Sequence, residues 1–122
     1  MEILVVDDEK EITSLFQDYL ELNGGHKITI AYSGTEALEK VRKRKPDLII
    51  MDHLMPGLTG VGVADLLKSR EETANIPIVI FSISDAPSPD EKKDMGIVEF
   101  LAKPIDFTKL KQIIEELEKQ KN

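Results

Sequence analysis

Five short apolar runs, each about as long as a β-strand, alternate along this chain with segments of helical periodicity. The first, third and fourth runs are almost entirely apolar, which is typical of parallel strands that are covered on both faces of a sheet. The runs are Ile3–Val6, Ile28–Ala31, Leu48–Met51, Ile78–Phe81 and Glu99–Ala102. This alternation predicts an α/β fold.

The segments between the runs differ in how clearly they predict a helix. Apolar residues recur at helical spacing in residues 12–20, 37–41 and 110–117. Residues 61–67 show a similar pattern that Gly60 and Gly62 weaken, because glycine disfavours a helix. Residues 88–95 begin with a capping pattern but offer almost nothing apolar to bury, so they predict only a weak fourth helix.

Short polar residues mark several helix starts. Ser33 and Glu36 have the spacing of a capping box, and Asp106 is expected to cap the last helix. Asp7 or Asp8, taken as an isolated feature, would favour a cap of the first helix.

A strand followed by a helix, repeated about five times, predicts a five-stranded parallel sheet with helices on both faces. Right-handed crossover connections place the helices there. The 122 residues fit one domain of ordinary size. We expect residues 1–122 to form that domain, with a frayed end at residues 119–122.

Composition excludes several classes of protein. The chain has no cysteine, which excludes disulfides, thiolate metal sites and thiol nucleophiles. Its net charge of −7 argues against general binding to nucleic acid or anionic membrane, and we interpret the basic run Lys40–Lys45 as a solvated helix end. The first residues lead directly into a strand-like run and no apolar stretch approaches membrane-spanning length, so we expect a cytoplasmic location.

Chemically distinctive residues follow four of the predicted strands. Asp7 and Asp8 follow the first run, Asp52 the third, Ser82 the fourth and Lys103 the fifth. In open parallel sheets the ligand site lies at the carboxyl ends of the strands, so these side chains are predicted to meet at one edge. Three neighbouring carboxylates repel one another unless a cation binds, and a set of oxygen ligands suits Mg²⁺ better than Zn²⁺.

Motifs at these strand ends resemble the receiver domain of two-component response regulators, across essentially the whole chain. They are the acidic pair in VVDDE, the aspartate in DLIIMDHLMPGLTG, the serine after the fourth run and the Lys-Pro pair after the fifth. Each motif alone is weak, but their order and their positions at strand ends make a chance match improbable. The resemblance implies a flavodoxin-like (βα)5 fold with strand order 2-1-3-4-5, as in single-domain chemotaxis receivers.

The resemblance also implies roles for the acidic residues. Asp52 is the expected phosphoacceptor, and Asp8 and Asp52 are expected to give carboxylate ligands to Mg²⁺, the implied cofactor. Asp7 is expected to hold the metal through water, and the backbone carbonyl of Leu54 to complete the site.

Three more residues are implied in phosphoryl binding and switching. Lys103 is expected to pair with the phosphoryl group, and Ser82 to bond one of its oxygens. Phe100 is either an aromatic switch residue that turns inward as Ser82 moves or an ordinary core residue. The resemblance further implies a cis bond between Lys103 and Pro104.

The partners follow from the same resemblance. The phosphoryl donor would be a phosphohistidine on a sensor histidine kinase or phosphotransfer protein, which makes the chain a modified switch in a phosphorelay more than a turnover enzyme. The downstream protein is expected to bind the fourth predicted helix, the fifth strand and the last helix, with Lys92, Lys93, Phe100 and Lys109 as exposed or switchable candidates. We expect a monomer or a phosphorylation-dependent dimer, without direct contact with nucleic acid or membrane.

Several residues near the site depart from the family pattern. Leu54 is bulky, Ile83 stands where a small residue is common, and Ser84 offers no acid or amide, so we expect all three to affect dephosphorylation. His53 follows the phosphoacceptor and is expected to point away from it as a partly packed residue. His26 lies in a predicted turn and is expected to have no role.

Three other classes share part of this pattern. A flavodoxin-type electron carrier has the same sheet but needs a Ser/Thr/Gly-rich phosphate loop where this chain has acids. A haloacid-dehalogenase-type phosphatase uses an aspartyl nucleophile, but it needs a second aspartate two residues later, whereas Asp7 and Asp8 are adjacent. A receiver-like interaction domain that is never phosphorylated is disfavoured, because every expected site residue is present.

Overall fold

The computed structural model describes residues 1–82 and 97–121, and these form five β-strands and four α-helices. The strands are β1 (Glu2–Val6), β2 (Lys27–Ala31), β3 (Leu48–Asp52), β4 (Ile78–Ser82) and β5 (Ile97–Ala102). The helices are α1 (Lys10–Leu22), α2 (Gly34–Lys43), α3 (Gly60–Lys68) and α4 (Phe107–Lys121). Helix α4 is the last helix of the sequence prediction, and the weak helix predicted at residues 88–95 lies outside the described residues.

The five strands form one parallel sheet in the order β2-β1-β3-β4-β5, which confirms the predicted fold. Strands β3 and β4 are buried along their whole length, because each has a neighbour on both sides and helices above and below, and this explains their apolar runs. Helices α2 and α3 pack on one face, and α1 and α4 on the other. The strand order reverses between β1 and β3, so a crevice is expected at their carboxyl ends.

Strand β5 begins at Ile97, two residues before the run that the sequence indicates. Ile97 pairs with Ile78 and Glu99 pairs with Val79, so the register shifts at Val98. A bulge of this kind interrupts the alternation of side chains on which a sequence pattern depends. The apolar pattern therefore reveals only the regular part of the strand.

The two predicted caps are present. The hydroxyl of Ser33 accepts a hydrogen bond from the backbone N–H of Glu36 at 3.1 Å, and Asp106 accepts from two backbone N–H groups in the first turn of α4. Helix α4 continues to Lys121, so residues 119–121 are helical where the sequence analysis expects a frayed end. No helix in the described part of the chain is both long and apolar enough to cross a membrane.

His26, which is predicted to lie in a turn and to have no role, is a packed residue. It lies just before β2, is buried, and its Nδ1 is 3.1 Å from the amino group of Met1. Burial lowers the pKa of His26, and the positive charge of the terminal amine lowers it further. His26 is thus a neutral, packed histidine that anchors the first strand.

Candidate functional site

The carboxyl ends of β1, β3 and β4 meet at one edge of the sheet. Asp7 directly follows β1, Asp52 ends β3, and Ser82 ends β4 and is buried. One carboxylate oxygen from each of Asp7, Asp8 and Asp52 lies within 4.8 Å of the other two. The acids that the sequence predicts at this edge therefore form a cluster.

Two of the three acids are buried. Asp7 is 0% exposed and Asp52 is 4% exposed, whereas Asp8 is exposed. One oxygen of Asp7 accepts a hydrogen bond from the backbone N–H of Glu9, the N-cap residue of α1, at 2.9 Å. Neither Asp7 nor Asp8 is itself the cap of α1, so the isolated cap interpretation is wrong.

Two buried oxygens in this cluster lack hydrogen bonds. Within residues 1–82 and 97–121, neither Oδ2 of Asp7 nor Oδ1 of Asp52 has a hydrogen-bond partner. A buried carboxylate oxygen without a hydrogen bond is costly, and such a group needs an explanation. A bound cation would satisfy both.

The electrostatics of Asp7 lead to the same conclusion. Burial raises the pKa of Asp7 to about 6, and the nearby charge of Asp52 adds to the rise. The hydrogen bond from Glu9 and the charge of Lys103 oppose it. A positive charge placed among the carboxylates would lower the pKa and keep Asp7 ionised.

Lys103 supplies a cation beside Asp52. Its Nζ lies 3.4 Å from Oδ1 of Asp52, and 5.3 Å from the ring centroid of Phe81. The backbone N–H of Lys103 donates to the carbonyl of Ser82 at 3.0 Å, which ties the end of β5 to the end of β4. The bond between Lys103 and Pro104 is cis, which confirms the prediction.

The donor set fits a hard divalent cation. The three clustered acids offer only oxygen atoms, and one lysine cannot balance three carboxylates. Leu54, whose backbone carbonyl is the fourth expected ligand, lies in the loop after β3 with its side chain 51% exposed.

The backbone around Asp52 is held by contacts that the sequence analysis missed. The N–H of His53 donates to the carbonyl of Phe81 at 3.0 Å, and the N–H of Gly60 donates to the carbonyl of His53 at 2.9 Å. A Cβ at Gly60 would lie only 2.6 Å from the carbonyl oxygen of Asp52. Gly60, predicted only to weaken a helix, instead lets the start of α3 approach the end of β3. Gly60 is the last residue of the motif DLIIMDHLMPGLTG, and this position was the sequence signal for a role near Asp52.

The described structure places Phe100 inside the protein. It is 9% exposed, packs with the core that α2 and α3 cover, and meets the ring of His53 edge-on at 6.2 Å between centroids. This burial is in keeping with the core alternative for Phe100, and its role as a switch residue stays a prediction. His53 is partly buried, and its Nδ1 accepts from the N–H of Val61 at 3.4 Å, in keeping with a packed residue.

The remaining predicted contact residues are only partly described. Lys109 is exposed on α4. Lys92, Lys93, Ile83 and Ser84 lie outside the described residues.

Comparison with known proteins gives a consistent family assignment. Residues 3–115 match the family model described as the response regulator receiver domain. The polar-differentiation response regulator DivK of Brucella ovis is 32% identical over 114 residues, which cover 93% of this chain and 92% of the relative.

Solved structures share the fold over almost the same length. The receiver domain of the Francisella response regulator 1452 is 30% identical, with a TM-score of 0.88, and the alignment covers 99% of this chain and 98% of that chain. The chemotaxis protein CheY4 of Vibrio cholerae is 26% identical, with a TM-score of 0.84 and coverage of 95% and 97%. The similarity therefore extends over the whole sheet.

Proposed function

The chain belongs to the response regulator receiver domain family of two-component signalling, and we propose that within it Asp52 is the phosphoacceptor. The family implies a histidine kinase or phosphotransfer protein as partner, and we propose that its phosphohistidine is the donor. One observation carries the assignment of Asp52: its buried Oδ1 lacks a hydrogen bond, lies 3.4 Å from Nζ of Lys103 and belongs to the acidic cluster.

The same cluster is our proposed Mg²⁺ site. Asp8 and Asp52 would hold the ion directly, Asp7 through water, and the backbone carbonyl of Leu54 would complete the set. Bound Mg²⁺ supplies positive charge that neutralises phosphoryl oxygens. The proposal is supported by the oxygen-only donors and by the two buried oxygens that lack hydrogen bonds.

Each transfer makes one bond and breaks one. A carboxylate oxygen of Asp52 bonds to phosphorus as the phosphorus–nitrogen bond breaks, and the leaving imidazole keeps the electron pair. The Lys103 ammonium offsets the repulsion between carboxylate and phosphoryl group, and the Ser82 hydroxyl donates to a phosphoryl oxygen. Attack of water on phosphorus then releases inorganic phosphate and restores the Asp52 carboxylate, so the chain acts as a switch that is set and reset.

We propose that the signal leaves through β5, α4 and residues 88–95, the last of which lie outside the described structure. Ser82 pairs with Ala102 and Ile80 pairs with Phe100, so a shift of Ser82 reaches Phe100 through the neighbouring strand. Phosphorylation would favour the buried position of Phe100 over an exposed one. Lys109 is an exposed residue of this surface.

The phosphoacceptor is tested by intact mass spectrometry after incubation with acetyl phosphate and Mg²⁺. One phosphoryl adduct is expected in the unmodified protein and in Asp65→Asn, an exposed carboxylate on α3 that serves as the matched control. No adduct is expected in Asp52→Asn. An adduct that survives this substitution places the nucleophile elsewhere, and a complete lack of adducts favours an interaction domain that is not phosphorylated.

The output surface is tested by amide exchange with and without beryllofluoride, which mimics the phosphoryl group. Changes at residues 82–101 and in α4 support the switch. Protection confined to residues near Asp7, Asp8 and Asp52 contradicts it.

A further inference from the structure

A groove between α2 and α3 is separate from the acidic site. Its volume is about 440 Å³, and its floor contains Leu38, Val41 and Leu67. Leu66, 45% exposed, adds an apolar wall. This volume lies within the range of roughly 300–1,000 Å³ that is common for ligand sites. We call this feature the α2–α3 groove.

Three exposed cations surround the floor of the α2–α3 groove. Arg42 and Lys45 come from the end of α2 and the segment after it, and Arg70 follows α3. Within the described ranges, none of the three forms an ion pair, whereas Lys40 pairs with Glu36 and Arg44 pairs with Glu2.

Among the described residues that line the groove, Glu72 is the one acid, in a chain whose net charge is −7. Lys45 also lines a second cavity, of about 250 Å³, together with Lys43 and Arg44. Positive charge is therefore concentrated on both sides of the segment that ends α2. A solvated helix end accounts for the cations, but not for the apolar floor beneath them.

We propose that the α2–α3 groove binds an acidic amphipathic helix of a partner protein. Aliphatic side chains of that helix would cover the leucine and valine floor, and its carboxylates would pair with Arg42, Lys45 and Arg70. A nucleic acid fits less well, because its phosphates would pair with the cations but would leave the apolar floor uncovered.

The position of the groove makes this contact independent of phosphorylation. Lys45 precedes β3 and Thr73 precedes β4, so the groove lies toward the amino ends of the strands, opposite the edge that carries Asp52. The surface adds a constitutive docking contact to the switched surface at β5 and α4.

The test uses a synthetic helical peptide with leucine on one face, at i, i+3, i+4 and i+7 spacing, and glutamate on the other. Binding is measured by fluorescence anisotropy and located by amide chemical shifts. The expected shifts lie in residues 38–45 and 66–73, and affinity should fall as salt increases. Peptides with lysine in place of glutamate, or with serine in place of leucine, should bind at least about tenfold more weakly.

Matched variants separate the groove from general charge effects. Arg42→Gln combined with Arg70→Gln should weaken binding about tenfold, whereas Lys111→Gln combined with Lys119→Gln, an equal charge change on α4, should not. Leu66→Ser provides a second groove variant if the arginine pair does not fold. Asp52→Asn should bind the peptide normally.

Several results would overturn the proposal. Equal weakening by both charge pairs, equal binding of the lysine peptide, or shifts outside the groove would each exclude a specific acidic helix. The surface would instead be assigned to an anionic membrane if the protein bound phosphatidylglycerol vesicles but not the peptide, and if Arg42→Gln combined with Arg70→Gln abolished the vesicle binding.

Discussion

Replacing Asp7 by asparagine should stabilise the metal-free protein at neutral pH. Asparagine has nearly the same shape and can still accept the hydrogen bond from Glu9, but it removes a carboxylate that is buried beside Asp52. The pKa of Asp7 rises from 3.8 to about 6 on folding, because burial disfavours its charged form. The difference of about two between the pKa values of Asp7 in the unfolded and folded protein corresponds to ~3 kcal/mol of unfolding free energy, at ~1.4 kcal/mol for each pKa unit.

The sign of the pH dependence follows from the direction of this shift. A carboxyl group with a raised pKa in the folded state contributes stability that is complete below pH 3.8 and is lost as the pH rises through about 6. The stability that the unmodified protein loses over this range should be largely retained by Asp7→Asn. At pH 7.5 the variant should be up to ~3 kcal/mol more stable, or roughly 10 °C higher in melting temperature.

Urea unfolding followed by circular dichroism, in EDTA between pH 4.5 and 8, measures this difference. Asp65→Asn makes the same change in charge at an exposed position and should change stability by no more than ~0.5 kcal/mol. Subtracting the parent protein's unfolding free energy at each pH isolates the contribution of Asp7 from that of the other titrating groups. An Asp7→Asn variant that is less stable than the parent at pH 7.5, or that keeps the parent's pH slope, would refute the reasoning.

Three further predictions concern metal binding, the position of the nucleophile and a helix cap. Millimolar Mg²⁺ should raise the unfolding free energy by ~1 kcal/mol at a few times Kd, and Asp8→Ala should remove most of the effect; a melting temperature indifferent to Mg²⁺ would contradict the metal site. Gly60→Ala should slow phosphorylation about tenfold and lower stability, because its Cβ would meet the carbonyl oxygen of Asp52 at 2.6 Å. Gly62→Ala, whose Cβ would have its nearest contact at 3.2 Å, should leave the phosphorylation rate unchanged. Equal rates in both variants would show that the close approach of Gly60 to Asp52 is unimportant. Asp106→Ala should cost ~1 kcal/mol in urea unfolding through loss of the α4 cap, and an unchanged midpoint would assign that bond no net stabilisation.

Local patterns predicted those parts of the fold that depend on neighbouring residues. Apolar runs identified β3 and β4, and the spacing of Ser33 and Glu36 identified the cap of α2, because both effects operate within a few residues. The convergence of the acids also followed, since parallel strands end at a common edge.

The features that the sequence did not predict depend on contacts between distant segments. Burial of His26 against the terminal amine joins residues 25 positions apart, and the bulge at Val98 depends on its pairing with β4. The role of Gly60 became visible only when α3 was seen against the carbonyl of Asp52. The groove cations belong to the same class, because Arg42 lies on α2 whereas Arg70 follows α3.

The strand order also determines how the sheet comes apart. Strand β3 has hydrogen-bonded partners on both sides, whereas in residues 1–82 and 97–121 the outermost strand β5 is paired with β4 alone. Detaching β5 and α4 breaks one ladder and leaves β1 and β3 joined, so this partial opening would separate Lys103 from the acids without dispersing them. Asp52 therefore lies on a strand that two ladders hold, while the lysine that pairs with it follows an edge strand that one ladder holds.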